Sequence, residues 1–537
     1  MRRWACLMSL LLGVSACAPP DRWGFLQPDW EHELANVPEK PVEVPTEDQP
    51  QPADATFPTL DAEGPVELSV EQATLLALRN NRDLHVVQLN PTIAATFEEI
   101  ERGQFDPELF AEGSYAHETA LEVARSTGQQ FGVDGNDTGA IAGVRQQLPT
   151  GTAVETSVEQ TRSISNRSPE QQEARVGLGV TQQLLRGFGP AVNLARVRQA
   201  ELETLATRYE LRGFTESLLA ETEIAYWNFI LAREEIAIFD RSLEIARSQR
   251  DEIEQRIDVG VLPRTEAAAA RTEVALREQA LINARSRLES RRVRLLRLMN
   301  PNPRGTLDAQ LVATTDPRLE PEPIADTDDR MALSQRLRPD LNEARLRLDQ
   351  NRLEIIVTRN GLLPRLELFI ALGKTGFGDT FSESFRELDG ETYDAVAGVR
   401  FNHYLGNRAA EARDTAARAS RQQAAAAVAN LEQLILVDVR LAIIEAERAR
   451  QQITASATTR ALQEQTVGAE QERFNVGIST TLLVAQAQRD LLVAQIAEVE
   501  AVINYRIALV NLYLAEGSLL ERRGIALGET SDAYRPY

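Results

Sequence analysis

Arg256-Ile-Asp-Val-Gly260-Val261 and Arg473-Phe-Asn-Val-Gly477-Ile478 stand 217 residues apart, counted from Gly260 to Gly477. Each leads into an Ala/Gln/Glu/Arg-rich stretch of helical character. The echo spreads outward from them. Arg82-Asp-Leu84 returns as Pro339-Asp-Leu341, and Phe105-Asp-Pro107 as Leu363-Pro364, both at an offset of about 257. Gly177-Leu-Gly179-Val returns as Ala397-Gly398-Val399, at an offset of about 219. Length alone suggests three or four domains. A duplication this long instead predicts one large supersecondary unit used twice in a single body.

Working back from the two glycines, residues 191–257 run without proline and predict a helix about 100 Å long. Residues 408–475 match it. Gly260 and Gly477 are natural helix terminators. Return helices are expected over 264–299 and 480–515. Apolar residues recur at three- and four-residue steps, as in Leu202, Leu205, Tyr209, Leu211 and in Leu281, Leu288, Leu295, Leu298, which predicts coiled-coil-like packing. The alanine runs 267–270 and 424–427 permit close approach. Two such hairpins are too thin to bury a compact core, so they need neighbours, read here as other subunits.

Ahead of the first long helix, residues 68–104 read as helix with Ser69 as its cap and Glu71 and Gln72 in the first turn. Pro91 implies either a kink there or a fresh start after Asn90. From Pro107 the period falls to two. Leu109, Ala111, Gly113 and Tyr115 alternate with Glu108, Phe110, Glu112 and Ser114. Similar alternation covers 176–180, 366–372 and 393–401. At about ten residues each, these segments suit tilted membrane-barrel strands. Residues 144–158 read as a hairpin about Pro149-Thr-Gly151 without a counterpart in the second half. Of extra barrel strands and an extracellular elaboration, the second is preferred.

The formal charge of −22 argues against nucleic acid, which needs a basic surface. Removing the first 16 residues leaves 56 basic against 80 acidic residues, or −24. Only Lys40 and Lys374 are lysines, read as a genomic preference for arginine. The four histidines (His32, His85, His117, His403) are scattered without metal spacing, so no metal and no cofactor is expected. No phosphate loop or nucleophile elbow is present, so no catalytic residue is assigned and the chain is not expected to be an enzyme. Cys6 and Cys17 make no disulfide framework. Met1-Arg-Arg, the apolar run 7–14 and Val14-Ser-Ala-Cys17 read as a secretory signal over 1–16, too short to span a membrane. The cysteine resembles a lipoprotein lipobox, which implies lipidation at Cys17; acyl chains in pairs anchor stably. Residues 17–60, rich in proline and acid, read as an extended tether. Trp23, Phe25 and Trp30 suit docking on the body or a lipid interface.

Together these residues resemble the outer-membrane efflux (TolC-like) protein family. The carriers are the duplicated Arg-x-x-x-Gly tips, Ala225-Tyr-Trp-Asn-Phe229, the stretch from Leu68 through Asn80-Asn-Arg-Asp-Leu84 into Asp106-Pro107, and Gln183-Leu-Leu-Arg-Gly-Phe-Gly189. The resemblance covers about 65 to 520 and implies an α+β membrane protein with an internal duplication. The implied architecture is a trimeric transmembrane β-barrel, twelve-stranded with each chain giving two strands per repeat, continued by a long periplasmic α-helical barrel. The first repeat is then 61–320 (strands within 106–184, helices 191–257 and 264–299). The second is 321–515 (strands within 365–401, helices 408–475 and 480–515). Residues 516–537 and the segment near 300–327 are expected in an equatorial belt. The implied role is the exit channel of a tripartite efflux system in the outer membrane, passively conducting small molecules. A duct for type I protein secretion is the alternative in the same fold, and a structural or adhesive coiled-coil lipoprotein the alternative in another class. Implied partners are two further copies in a homotrimer, a periplasmic adaptor, an inner-membrane pump or ABC exporter, and outer-membrane lipid. Arg256, Val259, Gly260, Val261, Arg473, Val476, Gly477 and Ile478 are the expected adaptor-docking tips, with internal stapling of the hairpin as the rival role for the apolar four and carbonyl capping as the rival for the arginines. The family's acidic aperture position falls on Glu266. Its usual Asp-x-x-Asp pair falls on Leu483 and Gln486, so closure is expected to rest on Leu483 or on Glu266 with Arg264.

Overall fold

The computed structural model describes residues 64–123, 128–299, 306–318, 320–324 and 326–526. The signal, Cys17, the tether with its aromatics and the end of the C-terminal segment lie outside them. In chain order the elements are β1 (Val66–Leu68), α1 (Val70–Asn80), α2 (Arg82–Val87), α3 (Leu89–Arg102), β2 (Glu108–Val123), β3 (Gln130–Gln147), β4 (Thr152–Ser165), β5 (Gln171–Gln183), α4 (Pro190–Asn193), α5 (Ala195–Asp258), α6 (Glu266–Met299), β6 (Leu311–Ala313), α7 (Thr327–Leu337), α8 (Pro339–Gly361), β7 (Arg365–Gly378), α9 (Phe381–Arg386), β8 (Tyr393–Asn402), α10 (Arg408–Asn475), α11 (Thr481–Glu516) and α12 (Leu519–Arg522). The two repeats are therefore plain: three helices in the first and two in the second, then strands, a helix of 64 or 68 residues, a turn and a return helix.

Two compact units divide the chain. One holds residues 93–204 and 346–425 and is built on a six-stranded antiparallel sheet ordered β2-β3-β4-β5-β7-β8. Directly paired residues share a face. On one face lie Leu109 and Val144, Val158 and Val176, Leu178 and Leu372, Leu368 and Val399. The other carries ion pairs. Arg145 bonds Glu108 at 2.8 Å, Arg175 bonds Asp394 at 2.7 Å, and Arg400 reaches Glu367 at 3.1 Å. The first half supplies four strands and the second two, so the expectation of two per repeat is corrected. So is the placement of the 144–158 hairpin. Its turn does not stand at the far end of the sheet. Asn193 Nδ2 donates to Pro149 O and Gly187 O, and Gly189 N donates to Thr150 O, so the turn sits where β5 hands over to α4. β3 and β4 thus cross the whole sheet.

The second unit holds residues 205–345 and 426–526 with the described residues before 93. Its core gathers around Tyr226, Trp227, Leu295, Leu296 and Met299. A parallel pair of short strands, β1 with β6, closes one side. Tyr226 Oη donates to Leu68 O at 2.8 Å and accepts from Thr315 N at 3.2 Å, pinning both. Ser69 caps α1 as expected: its Oγ accepts from Gln72 N, and Gln72 Oε1 from Ser69 N. The helix breaks earlier than Pro91, however. Asn81 takes an extended backbone and caps α2 through Leu84 N, while its amide donates to Leu298 O. A buried side chain with two partners decides the break, and Pro91 sits harmlessly in the first turn of α3.

Candidate tunnel mouth and membrane wall

Each long helix ends in the same way. Gly260 and Gly477 adopt φ of 78° and 80°. Val261 N donates to Arg256 O and Gly260 N to Ile257 O; Ile478 N donates to Arg473 O and Gly477 N to Phe474 O. This is the Schellman arrangement, in which a left-handed residue lets the last carbonyls find donors. The turn leaves its apolar residues outside. Val259, Val261, Val476 and Ile478 are each about 70–80% exposed, so they do not staple the hairpin.

The arginines of the two motifs differ. Arg473 bonds Glu470 at 2.6 Å, beside Ser479 Oγ, which donates to the same carboxylate at 2.8 Å. These two hydrogen bonds hold the Glu470 carboxyl below its usual range. Arg256 reaches over to the other tip: it bonds Glu252 at 2.5 Å and Asn475 Oδ1 at 3.1 Å, and its guanidinium lies 5.2 Å from the Phe474 ring centre. Neither arginine's recorded contact is with a last-turn carbonyl. A second link joins the return helices, where Thr481 Oγ1 donates to Glu266. Glu266 is thus engaged across the two repeats, and Arg264 is exposed. Leu483 and Gln486 are exposed on the first turns of α11, next to Leu482. Phe474, Asn475 and Thr481 were not singled out in the sequence. The available signal was the unequal motif, Phe474-Asn475 against Ile257-Asp258.

Further along the helices, buried charges fasten the chain's end to α5. Glu216 is 1% exposed and bonds Arg212, which also pairs with Glu521. Burial raises the Glu216 carboxyl to about 7, against the pull of Arg212 and with Glu521 adding to the rise. Arg523 holds buried Glu223 at 2.8 Å, and Arg330 and Arg522 hold buried Glu516. Among the described residues no cluster of potential metal ligands occurs, and no helix is long and apolar enough to cross a membrane. The membrane element is the sheet, whose apolar face suits hydrocarbon and whose ion-paired face suits water.

A chain with such strands, two very long helices and glycine-ended tips has the build of an outer-membrane channel with periplasmic helices. The Outer membrane efflux protein family matches residues 74–301 and 331–518, and this chain belongs to that family. The outer membrane efflux protein BepC of Brucella suis biovar 1 (strain 1330) is 26% identical over 331 residues, 61% of this chain and 68% of that one. The Campylobacter jejuni CmeC outer membrane channel superposes with a TM-score of 0.62 at 17% identity, over 84% of this chain and 86% of that. The open state of the Neisseria gonorrhoeae MtrE channel does so at 0.59 and 20%, over 84% and 90%.

Proposed function

We propose that three copies of this chain form the outer-membrane exit channel of a tripartite efflux system. They are anchored through lipid on Cys17 and conduct small molecules passively, without chemistry of their own. The carrying observation is the pair of tips: four strongly exposed apolar residues flank two turns of identical geometry. Exposed apolar residues at a protruding turn fit a partner's surface, here a periplasmic adaptor coupled to an inner-membrane pump. Two further stripes fit the neighbouring copies. Leu434, Val437, Leu441 and Ile444 lie at three- and four-residue steps on α10 and are at least half exposed, as are Leu89, Ile93, Phe97 and Ile100 on α3. With Leu483 where an acidic pair usually stands, closure of the aperture rests on apolar contact.

Gly477→Val tests the tip. No heavy atom lies within 4 Å of the added Cβ, so the cost is backbone strain alone, about 1–2 kcal/mol at one turn. Trimers are expected to persist by mass photometry while cells accumulate ethidium as a channel-null strain does. Normal ethidium export by this variant removes the tip from the mechanism. A purified trimer that never conducts in planar bilayers would instead favour a structural or adhesive lipoprotein.

A further inference from the structure

The strand unit occurs three times in this chain. Ala142-Gly-Val-Arg-Gln-Gln-Leu148 ends β3, Leu178-Gly-Val-Thr-Gln-Gln-Leu184 ends β5, and Ala397-Gly-Val-Arg400 ends β8. In each copy the glycine lies on the ion-paired face and the valine on the apolar face. The first and third copies share a fuller device. Glu108-Leu-Phe110 and Glu367-Leu-Phe369 lay a phenylalanine over Gly143 and Gly398, where an added Cβ would come within 2.8 and 2.5 Å of the ring. Arg145 and Arg400 then cover those rings at 5.5 and 5.3 Å.

The three copies also follow one another at a constant stagger. Crossing the ladder from Val144 leads through Thr156 to Leu178, two residues short of the equivalent Val180. Crossing from Val180 leads through Ile370 to Ala397, again two residues short of the equivalent Val399. Two residues of rise per pair of strand spacings give a tilt of about 35°, within the range at which sheets close into barrels.

We propose that residues 148–183 complete a third copy of the membrane hairpin, and that three chains close an exit duct of eighteen strands in place of the family's twelve. The proposal rests on the trimeric reading above. β2 and β8 are the open edges of the sheet, and hydrocarbon does not tolerate unpaired edges, so β2 of one copy takes β8 of the next. At this tilt the backbone diameter becomes about 34 Å, where twelve strands would give about 23 Å. The lipid-spanning exit is then about twice as large in cross-section, which suits a bulkier cargo than the family plan.

Deleting residues 148–183 from the full chain joins Gln147 to Leu184 and restores the sequence Gln-Gln-Leu at the junction. Electron-microscope projections down the axis are expected to show trimers for both proteins, with the barrel of the shortened one narrower by about a third. An unchanged diameter overturns the proposal. A second measurement needs no deletion, because residues 64–526 contain no cysteine. In outer membranes a membrane-impermeant maleimide is expected to label Ser157→Cys, on the ion-paired face, at least tenfold more than Val158→Cys, on the apolar face. Equal labelling places the hairpin in water and overturns the proposal. A full-length protein that purifies only as a single copy removes the trimeric reading itself, and the eighteen-strand duct with it.

Discussion

Arg256 joins the two tips through Asn475 and the Phe474 ring, while its ion pair with Glu252 stays within its own helix. Its stack on Phe474 is worth about 0.5–1 kcal/mol, and its bond to Asn475 about 1 kcal/mol. Arg256→Ala is therefore expected to leave the melting temperature almost unchanged and to raise single-channel conductance several-fold, because the mouth loses a cross-repeat tie. Conductance equal to wild type would put the restraint at Glu266 and Thr481 alone. Glu216 behaves differently because it is buried. Its carboxyl holds a proton up to about 7, whereas the unfolded chain releases it near the ordinary glutamate value of 4.5. Between those values the folded state binds more protons, so stability falls as pH rises through the window and is flat above it. The full swing is about 3 kcal/mol. Thermal melting of detergent-solubilised protein is expected to show higher stability at pH 5 than at pH 8, and Glu216→Gln should remove most of that slope. A slope that survives in Glu216→Gln assigns it to other groups.

Among the elements, β1 and β6 are only three residues each, and one phenol bridges their ends in addition to their own backbone bonds. Tyr226→Phe leaves Leu68 O and Thr315 N without that partner and is expected to cost about 1–3 kcal/mol, read as a lower denaturation midpoint. A midpoint unchanged within error would mean that neighbouring groups replace the hydroxyl. The long helices were legible in the sequence because an unbroken three- and four-step apolar pattern leaves no room for another period; α10 begins and ends at the expected residues. α5 starts later, at Ala195, because Pro190 first sets a separate turn of helix. The strands with alternating Leu, Val and Phe were legible too. β3 was not, for a physical reason. Its outer half, Gly132-Val-Asp-Gly-Asn-Asp-Thr-Gly139, has loop composition, and it is extended because β2 and β4 bond it from both sides. The sense of the hairpin was equally hidden, since the groups that anchor its turn at the helix-proximal end, Gly189 N and Asn193, lie about 40 residues further along the chain.

For the whole molecule, the apolar stripe on α10 gives the clearest test of assembly. Leu441 is 59% exposed in a single chain. Leu441→Glu would bury a charge between copies and is expected to shift purified protein from trimer to single chains on mass photometry. Retention of the trimer would move the subunit contact elsewhere. The duplication treated the two walls unequally. Tips and long helices occur twice in each chain, while the sheet takes four strands from one half and two from the other. In the proposed ring of three chains the helices recur near-sixfold, but the strand hairpins recur ninefold. The two walls share only the threefold axis. A small rotation that maps one helix pair onto the next does not map hairpin onto hairpin, so an iris-like twist at the helices finds no matching set of positions in the strands, and the membrane wall is left as a stator.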